Sequence, residues 1–127
     1  MAQVKIYGGR EHLRQVREAL SAAIHECLVE ALQLPDEKRF QRFLPMDDDD
    51  FLHPRGEAYT VIEISMFEGR TDAAKRALIA ELFTRVEAQA GISPNRLEIT
   101  ITETPKVNWG IRGQNVADLT LNYRVDV

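Results

Sequence analysis

With one cysteine, Cys27, among its 127 residues, the chain has no means of closing an intrachain disulfide and shows no sign of an oxidising compartment. Long hydrophobic runs are missing as well. Lys5, Glu18, Glu26, Glu30 and Lys38 interrupt every stretch approaching the ~20 apolar residues that a membrane span needs. Lys5, Arg10 and Glu11 near the start have no long apolar stretch behind them, so no signal peptide is expected. Basic excess is absent: the net charge of −4 argues against nucleic acid as a partner. His12 and His25 lie 13 residues apart on one predicted helix and His53 stands alone, so no zinc-type spacing occurs. Asp47-Asp48-Asp49-Asp50 lacks the alternating ligands and glycine of a calcium loop and reads as a solvated, self-repelling segment. The expectation is a soluble cytoplasmic protein with no metal and no cofactor, making no contact with nucleic acid or membrane.

What is present is an ordinary globular composition, 44% hydrophobic and 28% charged, in one domain's length, residues 1–127. Gln3–Tyr7 alternates and predicts a strand, followed by a turn at Gly8-Gly9-Arg10. From Glu11 to Leu32, the residues Leu13, Val16, Leu20, Ala23, Ile24, Cys27, Leu28 and Ala31 make one stripe of a long helix. On that stripe Cys27 is a buried, inert thiol. Leu34-Pro35 ends the helix, and Arg39–Leu44 predicts a second strand. Tyr59–Phe67 alternates again, turns at Glu68-Gly69-Arg70, and leads through the N-cap Thr71 into a second helix. That helix has Ile79, Leu82, Phe83, Val86 and Ala90 as its buried stripe and ends at Gly91. Leu97–Thr102 predicts a fourth strand and Ala117–Val127 a final one.

Tyr7-Gly8-Gly9-Arg10 and Phe67-Glu68-Gly69-Arg70 lie at an offset of 60, and Leu34-Pro35 and Ser93-Pro94 follow the two helices at a similar offset. The chain is therefore one unit written twice, over 1–46 and 59–104, with a strand segment at 117–127. The expected fold is α/β: tandem βαβ units forming a two-layer sandwich, two long helices on one face of a mainly four-stranded sheet. The other face is left for a second subunit.

A tandem βαβ with a Gly-Arg turn after the first strand of each unit resembles the tautomerase superfamily, and more closely its malonate semialdehyde decarboxylase-like branch. The resemblance is carried by Phe67-Glu68-Gly69-Arg70-Thr71, by Pro35 followed by Arg39-Phe40-Gln41, by Ile92-Ser93-Pro94, and by the interval from Glu103 to Trp109. It implies a homotrimer, a small carboxylate-bearing substrate held by arginine, and an N-terminal proline whose amine moves the proton. Arg70 matches the family arginine at the start of the second helix, and Trp109 an aromatic lining the pocket. The chain departs from the pattern by starting Met1-Ala2-Gln3, without the proline. Asp72 replaces a second arginine, Lys38 beside Asp36 and Glu37 replaces an acid, and Ile111 takes a second aromatic position.

A tautomerase needs a group that moves a proton between carbon and oxygen, and a cation for the substrate carboxylate. A terminal amine, with an ordinary pKa of about 7.7–8.0, suits the first task. Here Met1 or Ala2 would supply a primary amine, able to act as a base or to condense with a carbonyl. For the second task Arg70 is the first candidate, because guanidinium grips a carboxylate bidentately. Read as an exposed first-turn residue, it should be removable with little effect on folding. Arg10 holds the equivalent place in the first unit, while Asn108, Trp109 and Arg112 offer further substrate contacts. Keto–enol conversion of a 2-keto acid is one expectation. A trimeric binding or structural protein of the same fold is another. A third is a decarboxylase- or hydratase-like reaction with a base such as Glu63, Asp118 or Tyr123.

Overall fold

Strand β1 (Ala2–Gly9) alternates buried and half-buried residues along its whole length in the computed structural model, which describes residues 2–119. Ala2, Val4 and Ile6 face the core, as period-two alternation requires of a strand covered on one side. The strand runs straight into helix α1 (Arg10–Leu32), so the predicted turn at Gly8-Gly9-Arg10 is replaced by a direct junction with Gly9 in extended geometry. Strand β2 (Gln41–Met46) follows a loop, and β3 (Thr60–Phe67) opens the second unit. Helix α2 (Asp72–Ala90) is capped as the sequence predicts: the Thr71 hydroxyl accepts from the Ala74 N–H, and Gly91 closes it in the left-handed region at φ 71°. Strand β4 (Leu97–Thr104) then runs two residues beyond its predicted end. The end of β3 at Phe67 and the start of β4 at Leu97 fall where expected, and the other strand boundaries differ by a residue or two, because pairing partners, rather than local alternation, decide where a strand stops.

The sheet order is β2-β1-β3-β4. Within each unit the strands are parallel, β1 with β2 and β3 with β4, while the units meet through an antiparallel β1–β3 pair. Both helices cover the same face. Leu13, Leu20, Ile24 and Leu28 of α1 and Leu78, Leu82 and Val86 of α2 pack on Val4, Ile6, Ile62 and Ile64. Burying each such aliphatic side chain contributes roughly 1.5–3 kcal/mol. The α2 stripe is rotated from its predicted position: Leu78 is buried, while Ile79, Phe83 and Ala90 are half-buried at its border. The cause is α1, against which α2 also packs, since a second helix draws the buried stripe toward itself. At the surface of that contact Arg85 of α2 donates to both carboxylate oxygens of Glu30 at 3.2 and 2.7 Å.

After β4 the chain forms a short antiparallel pair, β5 (Gly110–Ile111) and β6 (Gln114–Asn115). The expected final strand is not found where the chain is described: Val116–Asp118 is a 3-10 turn whose entry is capped by the Asn115 side chain, and residues 120–127 lie outside the described residues. This segment packs on Phe67, forming a second small cluster of Phe67 and Val116 with Trp109, Ile111 and Leu119. Among the described residues, no helix is long and apolar enough to cross a membrane.

Gly8 is where β1 and α1 approach most tightly. A Cβ there would stand 3.0 and 3.1 Å from two carbons of the fully buried Leu13 side chain. Gly8→Ala is therefore expected to cost about 1–2 kcal/mol in urea denaturation, as overpacking of a closed core does. Gly9→Ala, which meets nothing within 4 Å, should stay within about 0.5 kcal/mol of wild type.

Candidate functional site

Strand register gathers most of the resemblance residues at one end of the sheet, whereas Ile92-Ser93-Pro94 leads into β4 at the other end, beside Tyr59. Ala2 at the start of β1 pairs with Met66 near the end of β3, and Met66 in turn pairs with Glu103 of β4. The loop into β2 arrives at the same end, where the Val4 N–H donates to the Phe40 carbonyl at 3.0 Å. Met1 lies outside the described residues. Ala2 is buried, and Arg70 follows the end of β3 directly.

The state of Arg70 corrects the expectation of an exposed residue: it is only 7% exposed. Its Nη1 donates to the carbonyl of Leu32, the last residue of α1. The last four carbonyls of a helix lack intrahelical donors, and a buried one must find a donor elsewhere. Arg70 therefore ties the second unit to the end of the first helix. A guanidinium carries five N–H donors, and Leu32 takes one of them.

Two further contacts shape this end, neither legible in the sequence. His25 is 2% exposed on α1, and its Nε2 lies 2.7 Å from the Asp36 carbonyl. A carbonyl only accepts, so Nε2 carries the proton and the ring pins the loop between α1 and β2. Lys75, in the second turn of α2, reaches Glu103 at 2.8 Å and Asp72 at 3.4 Å. Glu103, and then Asp72, hold the Lys75 ammonium above its ordinary range, so it stays charged. On the other side of the sheet Trp109 sets its ring edge-on to Phe67, centroids 4.8 Å apart. Asn108 and Arg112 are both exposed nearby in sequence. Arg112 (φ 52°) and Gly113 (φ 75°) form the two central positions of the β5–β6 turn, a conformation that closes a two-residue hairpin.

Arg10 is not brought to this end. It lies at the far end of β1, seven residue steps from Gln3 and about 23 Å away at the usual strand rise. The reason is geometric: equivalent positions of a duplicated unit must fall at opposite ends when the units join antiparallel. There Arg10 donates from Nε to Asp47 at 2.9 Å, beside an open cleft of about 760 Å³. His12, Phe51, His53 and Tyr59 also line it, and the His53 and Tyr59 rings are stacked at 5.3 Å. Desolvation lowers the pKa of His12. The cleft is thus the counterpart, across the repeat, of the end that holds Arg70.

Among the described residues, no group of three or more His, Cys, Asp or Glu side chains is arranged to hold a metal ion. The Cys27 thiol is buried on α1, and burial pushes its pKa up to about 11, which removes it as a nucleophile near neutrality.

Comparison with known proteins adds three findings. Residues 38–112 match a protein family described as "Tautomerase enzyme". A 2-hydroxymuconate tautomerase of Pseudomonas putida is 37% identical over 57 residues, covering 45% of this chain and 90% of that one, which is the length of a single βαβ unit. Among solved structures, a malonate semialdehyde decarboxylase inhibited by 3-bromopropiolate superposes with a TM-score of 0.79 at 24% identity, over 94% of this chain and 98% of that one. A fused 4-OT described as a symmetric trimer gives the same TM-score at 20% identity, over 91% and 96%. These two likenesses establish the fold and do not choose between the two activities.

Proposed function

Because the chain belongs to the tautomerase enzyme family, we propose that it promotes keto–enol conversion of a small 2-keto or enol carboxylic acid at the sheet end holding Ala2, Arg70 and Trp109. The observation that carries this reading is the antiparallel register of β1 on β3, which sets the start of β1 beside the strand end leading to Arg70. In this reading the amine of Met1 or Ala2 carries the proton, as a primary amine in place of a proline. A nearby guanidinium favours the uncharged amine, the form that accepts a proton near neutrality. The same positive charge opposes the negative charge developing on the enolate oxygen and attracts the substrate carboxylate. Trp109 supplies the apolar wall, with Asn108 and Arg112 as polar contacts beside it. Arg10, at the far end of its own chain, reaches this site only from a neighbouring copy in a homotrimer.

A second reading is favoured by one contact. Arg70 donates to Leu32 and is nearly enclosed, which suits a diverged binding or structural trimer whose guanidinium serves the fold.

The test is ketonisation of a 2-hydroxy enol acid followed by ultraviolet absorbance, on chain whose N-terminus is read by intact mass. Turnover should fall by roughly 100-fold or more when the terminal amine is acetylated, the loss typical of removing a general acid–base. Turnover unchanged by acetylation would remove the amine from the mechanism, and none above buffer would favour the second reading.

A further inference from the structure

At the end of the sheet away from Ala2, Thr60 of β3 pairs with Leu97 of β4. Six residue steps separate Leu97 from Glu103 along β4, about 20 Å at the usual strand rise, so this end is remote from the proposed reaction. An open hollow of about 440 Å³ lies here between the loop before β3 and the turn before β4. Its charge runs against that of the chain. Arg55 and Arg96 both line it, and among the described residues lining it none is an acid, in a protein of net charge −4. The lining is also rich in hydrogen-bond donors. Arg96 gives one N–H to the Arg55 carbonyl at 3.1 Å, which fastens the Pro94–Arg96 turn to the loop that carries Arg55. A guanidinium has five N–H donors, and the exposed Glu57 carboxylate stands 3.9 Å from Nη2, beyond hydrogen-bond reach. Ser93 Oγ accepts from the Asn95 N–H at 3.3 Å, which leaves the hydroxyl proton to donate. Glu98 takes the Tyr59 hydroxyl at 2.8 Å and raises its pKa, and Arg55 opposes the rise, which sets the Arg55 guanidinium close to the same hydroxyl.

We propose that this hollow binds a small phosphate monoester, its phosphate held by Arg55, Arg96 and Ser93. The inference goes beyond the proposed reaction and needs none of its groups. Two guanidinium forks and a hydroxyl, carried by separate segments, match a tetrahedral dianion with three terminal oxygens. A carboxylate has two oxygens and one charge, and a single fork satisfies it. The volume falls within the roughly 300–1,000 Å³ of small-molecule sites, more than a bare phosphate fills, so the organic part of an ester has room beside Tyr59.

Isothermal titration calorimetry of the intact chain with phenyl phosphate tests the proposal, with folding read by circular dichroism. Arg55→Gln and Arg96→Gln should each weaken binding at least tenfold, and the double variant should abolish it. Arg55 is exposed, so Arg55→Gln keeps the test open if Arg96→Gln loses its tie to the Arg55 carbonyl and unfolds. Added salt should weaken binding, as screening of exposed charges requires. Inorganic phosphate should bind more weakly than phenyl phosphate, and benzoate more weakly still. No heat from phenyl phosphate overturns the proposal, as does wild-type affinity in the folded Arg55→Gln variant. Inorganic phosphate or benzoate binding as tightly as phenyl phosphate would also overturn it. Acetylating the terminal amine should leave this binding unchanged, so a chain that binds phenyl phosphate without turnover would count against the proposed reaction alone.

Discussion

Arg70→Ala should lower folding stability by about 3 kcal/mol, with the urea midpoint falling at unchanged slope. The figure combines two losses. The Leu32 carbonyl at the end of α1 loses its charged donor, and a buried acceptor left unmade costs about 1–3 kcal/mol. The space filled by a side chain only 7% exposed is also emptied, and the aliphatic stem of an arginine contributes packing of its own. Arg70→Lys should recover part of the loss, because an ammonium keeps the charge but not the planar fork. Wild-type stability in Arg70→Ala would show that the residue behaves as an exposed one and that the Leu32 contact holds nothing together. For the proposed reaction the consequence is practical: an alanine variant here tests fold and chemistry at once, so blocking the terminal amine is the cleaner probe.

Phe67→Ala should be the most damaging single truncation at this end, at about 3–5 kcal/mol. Phe67 is 1% exposed and holds Val116, Trp109, Ile111 and Leu119 against the end of β3. Its edge-on contact with Trp109 adds roughly 0.5–1.5 kcal/mol beyond the buried area. Trp109 is the only tryptophan, so its emission should shift to the red as the 105–119 segment loosens. Phe67→Leu should lose less stability and shift emission less. A variant with wild-type emission would mean that Trp109 is held by something other than Phe67.

The residues most tied to the candidate site differ in how far the sequence reveals them. Arg70 and Trp109 stand at recognisable spacings, and the structure sets them near one sheet end. The burial of Arg70 was invisible, because it depends on the C-terminus of α1, 38 residues away in the chain. His25 looked like one more helical histidine. Its role in pinning Asp36 follows from the loop folding back over α1, which no periodicity encodes. Lys75 is a surface lysine in the sequence and becomes part of the site only because β4 brings Glu103 to it.

Alternation and helical periodicity are local properties of the chain, set by where each side chain points along a strand or helix. They suffice for the two βαβ units, the capped second helix and the helices sharing one face. Nothing local says how the two units join. The antiparallel meeting of β1 and β3 sends Arg10 and Arg70 to opposite ends, closes Arg70 over the end of α1, and lines up Lys5 with Arg42 and Glu63 across the open face. Those outcomes come from hydrogen-bond register between segments about 60 residues apart, a long-range pairing that only the assembled sheet can decide.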